Sequence, residues 1–244
     1  MGDYDPGRYG EDWAEDYDAL FDDLDQWPTV DAVAELAGGG RVLEFGIGTG
    51  RLALPLAARG VEVVGVEASQ AMVSALRRKP GGDRLEVVMG DFAHATADGG
   101  FAVVLLAFNT LFALPHQEAQ LACFANAARH LTPGGVFALD AFVPDLTRFQ
   151  RGQRLETRAA EPNEVRLEAS RHDPVGQRVT STVVRLSAVG ARLLPVAVRY
   201  AWPAELDLMA RLAGLRLRER WQWWDGSTFT SSSGQHVSIY ERPV

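Results

Sequence analysis

Glu44, Gly46, Gly48, Gly50 and Glu67 are the residues of this chain whose types and spacing point to chemistry. Glycines at alternate positions make a turn where backbone amides can approach a nucleotide-like ligand with no side chain in the way. Glu67 ends a Val-rich run and follows Gly46 by about 20 positions, the offset at which an acid takes a ribose hydroxyl pair. Two ligand classes use this geometry, dinucleotides and S-adenosylmethionine. The dinucleotide fingerprint wants a further glycine where Arg51 stands, for close helix–strand packing beside a pyrophosphate. S-adenosylmethionine carries an ammonium group and no pyrophosphate, so Glu44 beside the turn suits it better.

These groups must be held by a strand, a turn and a helix in that order. Arg41-Val42-Leu43 is a short strand-like run, and Leu52 to Leu56 an amphipathic one. The pattern continues with strands predicted over 41–46, 61–67, 84–89, 101–108 and 136–142, and helices over 50–59, 69–78 and 116–131. Ser69 is placed to cap the second of these helices. Such alternation implies a parallel sheet with helices on both faces. Ahead of it, Trp13, Tyr17, Leu20, Phe21 and Leu24 fall at helical spacing. They predict one amphipathic helix, broken by Trp27-Pro28 and followed by a second over 30–36, together a helical lid over 1–38. After Pro144, runs over 164–172, 178–186 and 192–200 mix β-branched and charged residues, with turns between them. They predict a small antiparallel β insert over about 145–202. A helix over 203–213 and a strand pair over 215–224 and 236–242 complete the chain. The fold class expected is α/β: one domain over 1–244, doubly wound, with a mostly parallel seven-stranded sheet, an antiparallel last strand, and the insert after strand five.

Several ordered motifs carry a family resemblance. Val42 to Gly50, the acid Glu67, Gly90-Asp91-Phe92, Ala107-Phe108-Asn109, and Leu131-Thr132-Pro133-Gly134-Gly135 occur in the order seen in class I S-adenosylmethionine-dependent methyltransferases, which the chain resembles. The match is good over about 12–143 and looser beyond. It leans toward bacterial small-molecule methyltransferases of secondary metabolism, including those acting on amino sugars. The resemblance implies S-adenosylmethionine as cofactor and methyl transfer to N or O of a small molecule. The cofactor-binding positions it implies are Tyr9, Tyr17, Glu44, Gly46, Gly48, Gly50, Glu67, Ala68, Met72, Asp91, Phe92 and Asn109.

In an open α/β sheet, ligands bind outside the carboxyl ends of the parallel strands. That rule gathers Glu44 to Gly50, Glu67, Asp91, Asn109 and Asp140 on one rim, with the insert and the 225–235 loop beside them. His116, Asp140 and His236 are the positions from which a general base could act. Trp223, Trp224 and Phe229 are candidate pocket walls, with a core role as the plainer reading of the tryptophans. No metal-binding set stands out.

Composition narrows the partners. A net charge of −8 argues against a nucleic-acid backbone. An acidic N-terminal stretch is unlike a signal peptide, and the longest apolar run falls far short of the ~20 residues of a spanning helix. The single cysteine, Cys123, suits a reducing cytoplasm. A small-molecule acceptor is therefore expected, with no nucleic acid or membrane partner, and a homodimer stays open. Rival readings are an enzyme using the same cofactor for cyclisation or rearrangement, a non-catalytic cofactor-binding partner protein, a macromolecular methyltransferase and a dinucleotide oxidoreductase.

Overall fold

The computed structural model describes residues 4–21 and 24–244. Along the chain, α1 (Arg8–Trp13), α2 (Tyr17–Phe21) and α3 (Trp27–Ala37) precede β1 (Val42–Phe45). Then come α4 (Ala53–Ala58), β2 (Val63–Glu67), α5 (Gln70–Arg77), β3 (Glu86–Met89), β4 (Phe101–Leu106), α6 (Gln117–His130) and β5 (Leu131–Phe142). A meander of β6 (Gln153–Glu161), β7 (Glu164–Asp173), β8 (Arg178–Ser187) and β9 (Gly190–Arg199) follows. The chain finishes with α7 (Pro203–Leu212), β10 (Arg216–Trp221) and β11 (Gln235–Glu241).

The main sheet has seven strands in the order β10-β11-β5-β4-β1-β2-β3. β1 to β5 are parallel. β11 enters antiparallel between β5 and β10, so the sheet is mostly parallel with an antiparallel insertion near one edge. Every residue of β1 is buried, as a strand covered on both faces requires. One face carries Val30, Val33, Leu56 and Leu76 from α3, α4 and α5. The other carries Phe124, Leu206 and Met209 from α6 and α7. Parallel strands end on one rim, and the glycine turn, Glu67, Phe108-Asn109 and Asp140 lie there. Among the described residues, no helix is long and apolar enough to cross a membrane.

The structure departs from the sequence-based expectation in three places. The N-terminal helix is two short helices, α1 and α2, with a turn at 14–16. That turn brings Asp16 to Arg185 and Arg192 of the four-stranded sheet. Trp27-Pro28 starts α3 rather than merely interrupting a helix, because a proline in the first turn forfeits only an N–H that would lack a helical partner. The insert has four strands where three were expected. β6 went unread because its Arg154, Glu156 and Arg158 interrupt any apolar alternation.

Candidate active site

All three motif glycines are left-handed, with φ of +70° at Gly46, +56° at Gly48 and +81° at Gly50, a region that costs other residues free energy. A side chain at Gly50 would drive into Leu76, whereas one at Gly48 would project into nearly open space. The turn is therefore a bare cradle on the ligand side and close-packed behind. Its far wall is Glu67. That carboxylate accepts from the backbone N–H of Gly48 at 2.9 Å, Ala68 at 3.0 Å and Ser69 at 2.9 Å. Burial pushes its pKa up against those three donors.

Glu44 is 5% exposed. It accepts from the Ala53 amide at the start of α4, while Oε2 has no hydrogen-bond partner among the described residues. Burial, reinforced by the charge of Glu67, pushes its pKa up to about 8, with Arg51 pulling the other way. The small cavity beside it, about 30 Å³, is walled by Tyr17, Gly46, Gly48, Arg51, Phe108 and Thr110 among others. Arg51 hydrogen-bonds the Tyr17 hydroxyl and lies 5.0 Å from the Phe108 ring centre. A second, open groove of about 560 Å³ shares Tyr17 and Arg51 and runs along α2 past Phe21, Asp25 and Trp27. An orphan carboxylate oxygen, an arginine and a glycine cradle beside a ribose-type acid are the donor and acceptor set of an amino-acid nucleoside. S-adenosylmethionine fits it.

The lid helices are tied to this turn. Thr49 Oγ1 donates to Asp18 at 2.6 Å, and the Lys79 ammonium donates to Asp18 at 2.8 Å and to the Thr49 carbonyl at 2.9 Å. On α1, Glu11 accepts from Ser69 Oγ at 2.8 Å and from the Ala71 N–H at 3.0 Å. Met72 is buried with Trp13 and Leu194, and Tyr9 stacks on Trp13 at 5.3 Å. Phe21 meets Phe108 edge-on at 5.0 Å. Asp91 accepts from the Ala93 N–H at 2.9 Å and from the Tyr4 hydroxyl, while Phe92 stacks near Phe45.

Phe108 and Asn109 are both left-handed, with φ of +65° and +58°, an uncommon state for residues with side chains. Two hydrogen bonds hold them there. Asp140 Oδ1 accepts the Asn109 N–H at 3.0 Å, and Asn109 Oδ1 accepts the Phe142 N–H at 2.6 Å. The other oxygen of Asp140 accepts the Trp224 indole N–H at 2.9 Å.

The three base candidates have different surroundings. Asp140 is at the rim with both oxygens engaged. His236 is wholly buried on β11, with Nδ1 on Ser238 Oγ at 2.8 Å. Burial and the nearby Arg220 lower its pKa to about 4. His116 is exposed at the start of α6. Of the two readings of Trp224, pocket wall or core, the structure shows the core: it is 3% exposed within the apolar layer under α3 and α4. Sequence reasoning missed Arg51, noted only as the residue replacing a glycine, and Phe21. The available signal was the run of aromatics on α2 facing a lone arginine in the turn.

Residues 42–135 match a family profile described as a methyltransferase domain. The chain is 32% identical over 246 residues to the cypemycin N-terminal methyltransferase of a Streptomyces species, covering 98% of this chain and 99% of that one. The CcbJ methyltransferase from Streptomyces caelestis superposes with a TM-score of 0.91 at 40% identity, over 99% of this chain and all of that one (100%). CalS10 from Micromonospora echinaspora is a SAM-bound amino pentose methyltransferase involved in calicheamicin biosynthesis. It aligns at a TM-score of 0.70 and 23% identity, covering 93% and 96% of the two chains, a likeness of fold. Identity of 32% and 40% to methyltransferases over nearly the whole chain, joined to a glycine cradle and its two acids, places this chain among the class I S-adenosylmethionine-dependent methyltransferases.

Proposed function

We propose that this enzyme methylates an amine nitrogen of a small secondary-metabolite acceptor. S-adenosylmethionine supplies a methyl group already activated on a sulfonium. In this reading Glu67 takes the ribose hydroxyls, Glu44 faces the ammonium and Arg51 the carboxylate of the methionine end. Tyr17, Phe21 and Phe108 exclude water. The chain then acts mainly by aligning the acceptor, since orientation alone removes much of such a barrier.

One observation carries the choice of nitrogen. A hydroxyl acceptor needs a positioned base, whereas a deprotonated amine brings its own lone pair. Both oxygens of Asp140 are committed to Asn109 and Trp224, His236 is wholly buried with Nδ1 on Ser238, and His116 is exposed at the start of α6. One relative lends support: it is named as the N-terminal methyltransferase of cypemycin. The groove along α2 has the volume typical of small-molecule sites, ~300–1,000 Å³. Paired acceptors of one skeleton, bearing an amine or a hydroxyl, are incubated with methyl-labelled S-adenosylmethionine and resolved by mass spectrometry. Label is expected on the amine member. Label on the hydroxyl member alone overturns the reading.

A further inference from the structure

The two helices beside the glycine turn are held in different ways. α1 is fixed. Gly10 lies so close to the start of α5 that a β-carbon on it would meet the Ser69 side chain. Glu11 accepts from the Ser69 hydroxyl and the Ala71 N–H, and the buried Trp13 indole donates to the Pro195 carbonyl of β9 at 3.3 Å. α2 is five residues long and buries none of them. A helix so short has no stability of its own, so α2 stays in place through its side-chain contacts. Tyr17 and Phe21 reach Arg51 and Phe108, and Asp18 makes the polar connection. Its Oδ1 accepts from Thr49 Oγ1 at 2.6 Å. Its two oxygens lie 2.8 and 2.7 Å from the Lys79 ammonium, which also donates to the Thr49 carbonyl at 2.9 Å. Thr49 is buried between two left-handed glycines, whereas Asp18 and Lys79 both reach solvent. One residue of the turn is thus gripped at its hydroxyl and its carbonyl by a single ion pair that faces water.

We propose that Lys79 is a positioning residue: through Asp18 it latches α2, with Tyr17 and Phe21, over the cofactor, and so sets how fast S-adenosylmethionine enters and S-adenosylhomocysteine leaves. The inference rests on the reading that the cofactor lies between the glycine turn and α2. A compact ammonium with three rotatable donors can serve a carboxylate and a carbonyl at one point. The hinge is the turn at 14–16, between a fixed helix and a loosely held one. An exposed ion pair is weak, worth about a factor of five in an equilibrium at most. Weakness suits a latch that must open at every turnover. Every group in it belongs to the chain, so it holds the empty and the loaded enzyme alike. Loosening it therefore quickens entry and exit together and leaves the affinity where it was. A residue that touched the cofactor would change the affinity instead.

Stopped-flow fluorescence gives both rates, from the full chain mixed with S-adenosylmethionine and from its S-adenosylhomocysteine complex chased with excess S-adenosylmethionine. The variants are Asp18→Asn, which keeps an acceptor for Thr49, Lys79→Met, and the two combined. Both side chains are partly exposed, so the fold should tolerate the changes, checked by melting, and either single variant serves should the other misfold. Each single variant is expected to raise both rates roughly two- to fivefold, with Kd within about twofold of wild type. The double variant should be no faster than the faster single one, as two halves of one contact require. Phe21→Ala uncovers the site without touching the latch and should quicken release too. If it does so and the latch variants do not, the latch is idle and the proposal falls alone. If no variant changes a rate, the cofactor does not lie beneath α2 and both readings fall. Affinity lost in Lys79→Met alone makes Lys79 a contact of the cofactor and overturns the latch.

Discussion

The indole N–H of Trp224 donates to Asp140 Oδ2 at 2.9 Å, although 84 positions separate the two in sequence. Since Oδ1 of the same carboxylate takes the Asn109 N–H, Asp140 joins the loop after β10 to the left-handed turn after β4. A tryptophan in the core thus bears on the geometry of Phe108, which faces the lid through Phe21. Buried carboxylates persist when their lone pairs are used, and burial here raises the Asp140 pKa while those donors lower it.

Trp224→Ala is expected to behave as a core deletion. Large-to-small changes of this kind cost about 3–5 kcal/mol, which in a chain of this size lowers the melting temperature by on the order of 10 °C. The activity remaining per folded molecule should fall as well, because the Asp140–Asn109 turn loses its brace. Thermal melts beside turnover decide it; an unchanged melting temperature would put Trp224 outside the core.

Asp140→Asn separates a bracing role from a catalytic one. An amide offers one acceptor where the carboxylate offers two, so a buried N–H loses its partner at a cost of about 1–3 kcal/mol. Turnover should drop, yet the shape of its pH profile should be retained, since in the proposed reaction the titrating group is the acceptor amine. Disappearance of the basic-side rise in the variant would make Asp140 the base after all.

Glu44 gives the enzyme a pH-dependent stability. Its carboxyl, ordinarily near 4.5, is raised to about 8 in the folded protein. The folded state therefore holds a proton that the unfolded chain releases, and this contribution is full below 4.5 and lost as pH rises through 8. Cofactor-free protein should melt progressively lower over that window, and Glu44→Gln should flatten the trend. The charges facing Glu44 are Arg51 and Glu67, with the Tyr17 hydroxyl nearby. An ammonium arriving there favours the carboxylate, so cofactor binding near pH 7 should release a proton and tighten as pH rises. Calorimetry in buffers of different ionisation enthalpy measures this release, and its persistence in Glu44→Gln would assign the proton elsewhere.

Glu67→Ala should weaken cofactor binding roughly ten- to hundredfold, from the loss of charge-assisted hydrogen bonds worth ~1.5–3 kcal/mol. The same substitution strips the N–H groups of Gly48, Ala68 and Ser69 of their acceptor, so some melting temperature is lost too. Equilibrium dialysis with labelled cofactor gives the affinity. A dissociation constant within twofold of wild type would move the ribose to another acid.

The cofactor half was legible because its signals are local. Gly46 to Gly50 and Glu67 announce a turn and an acid within one β-α-β unit, and β1 to β5 follow from apolar runs and breaks. The rest depends on contacts remote in sequence. Nothing near Asp140 says that Trp224 will occupy it, and nothing near Asp16 says that Arg185 will bend the N-terminal helix into two. β6 was unreadable for the same reason that its sheet is unusual: Leu155 points outward while Arg154 and Glu156 point toward the protein. Alternation rules assume the reverse arrangement.

The position of β11 between β5 and β10 bears on how the chain reaches this state. β1 to β5 can pair as soon as they form, but β5 keeps one edge bare until the chain has passed through the insert, α7 and β10. Closing a connection of roughly ninety residues costs little more entropy than closing a shorter one, yet it takes time. Meanwhile an open edge beside an apolar core is a template for another molecule's strand. Recovery on refolding should then be governed by concentration more than by the stability of the finished sheet, with dilute protein closing its own edge and crowded protein borrowing a neighbour's.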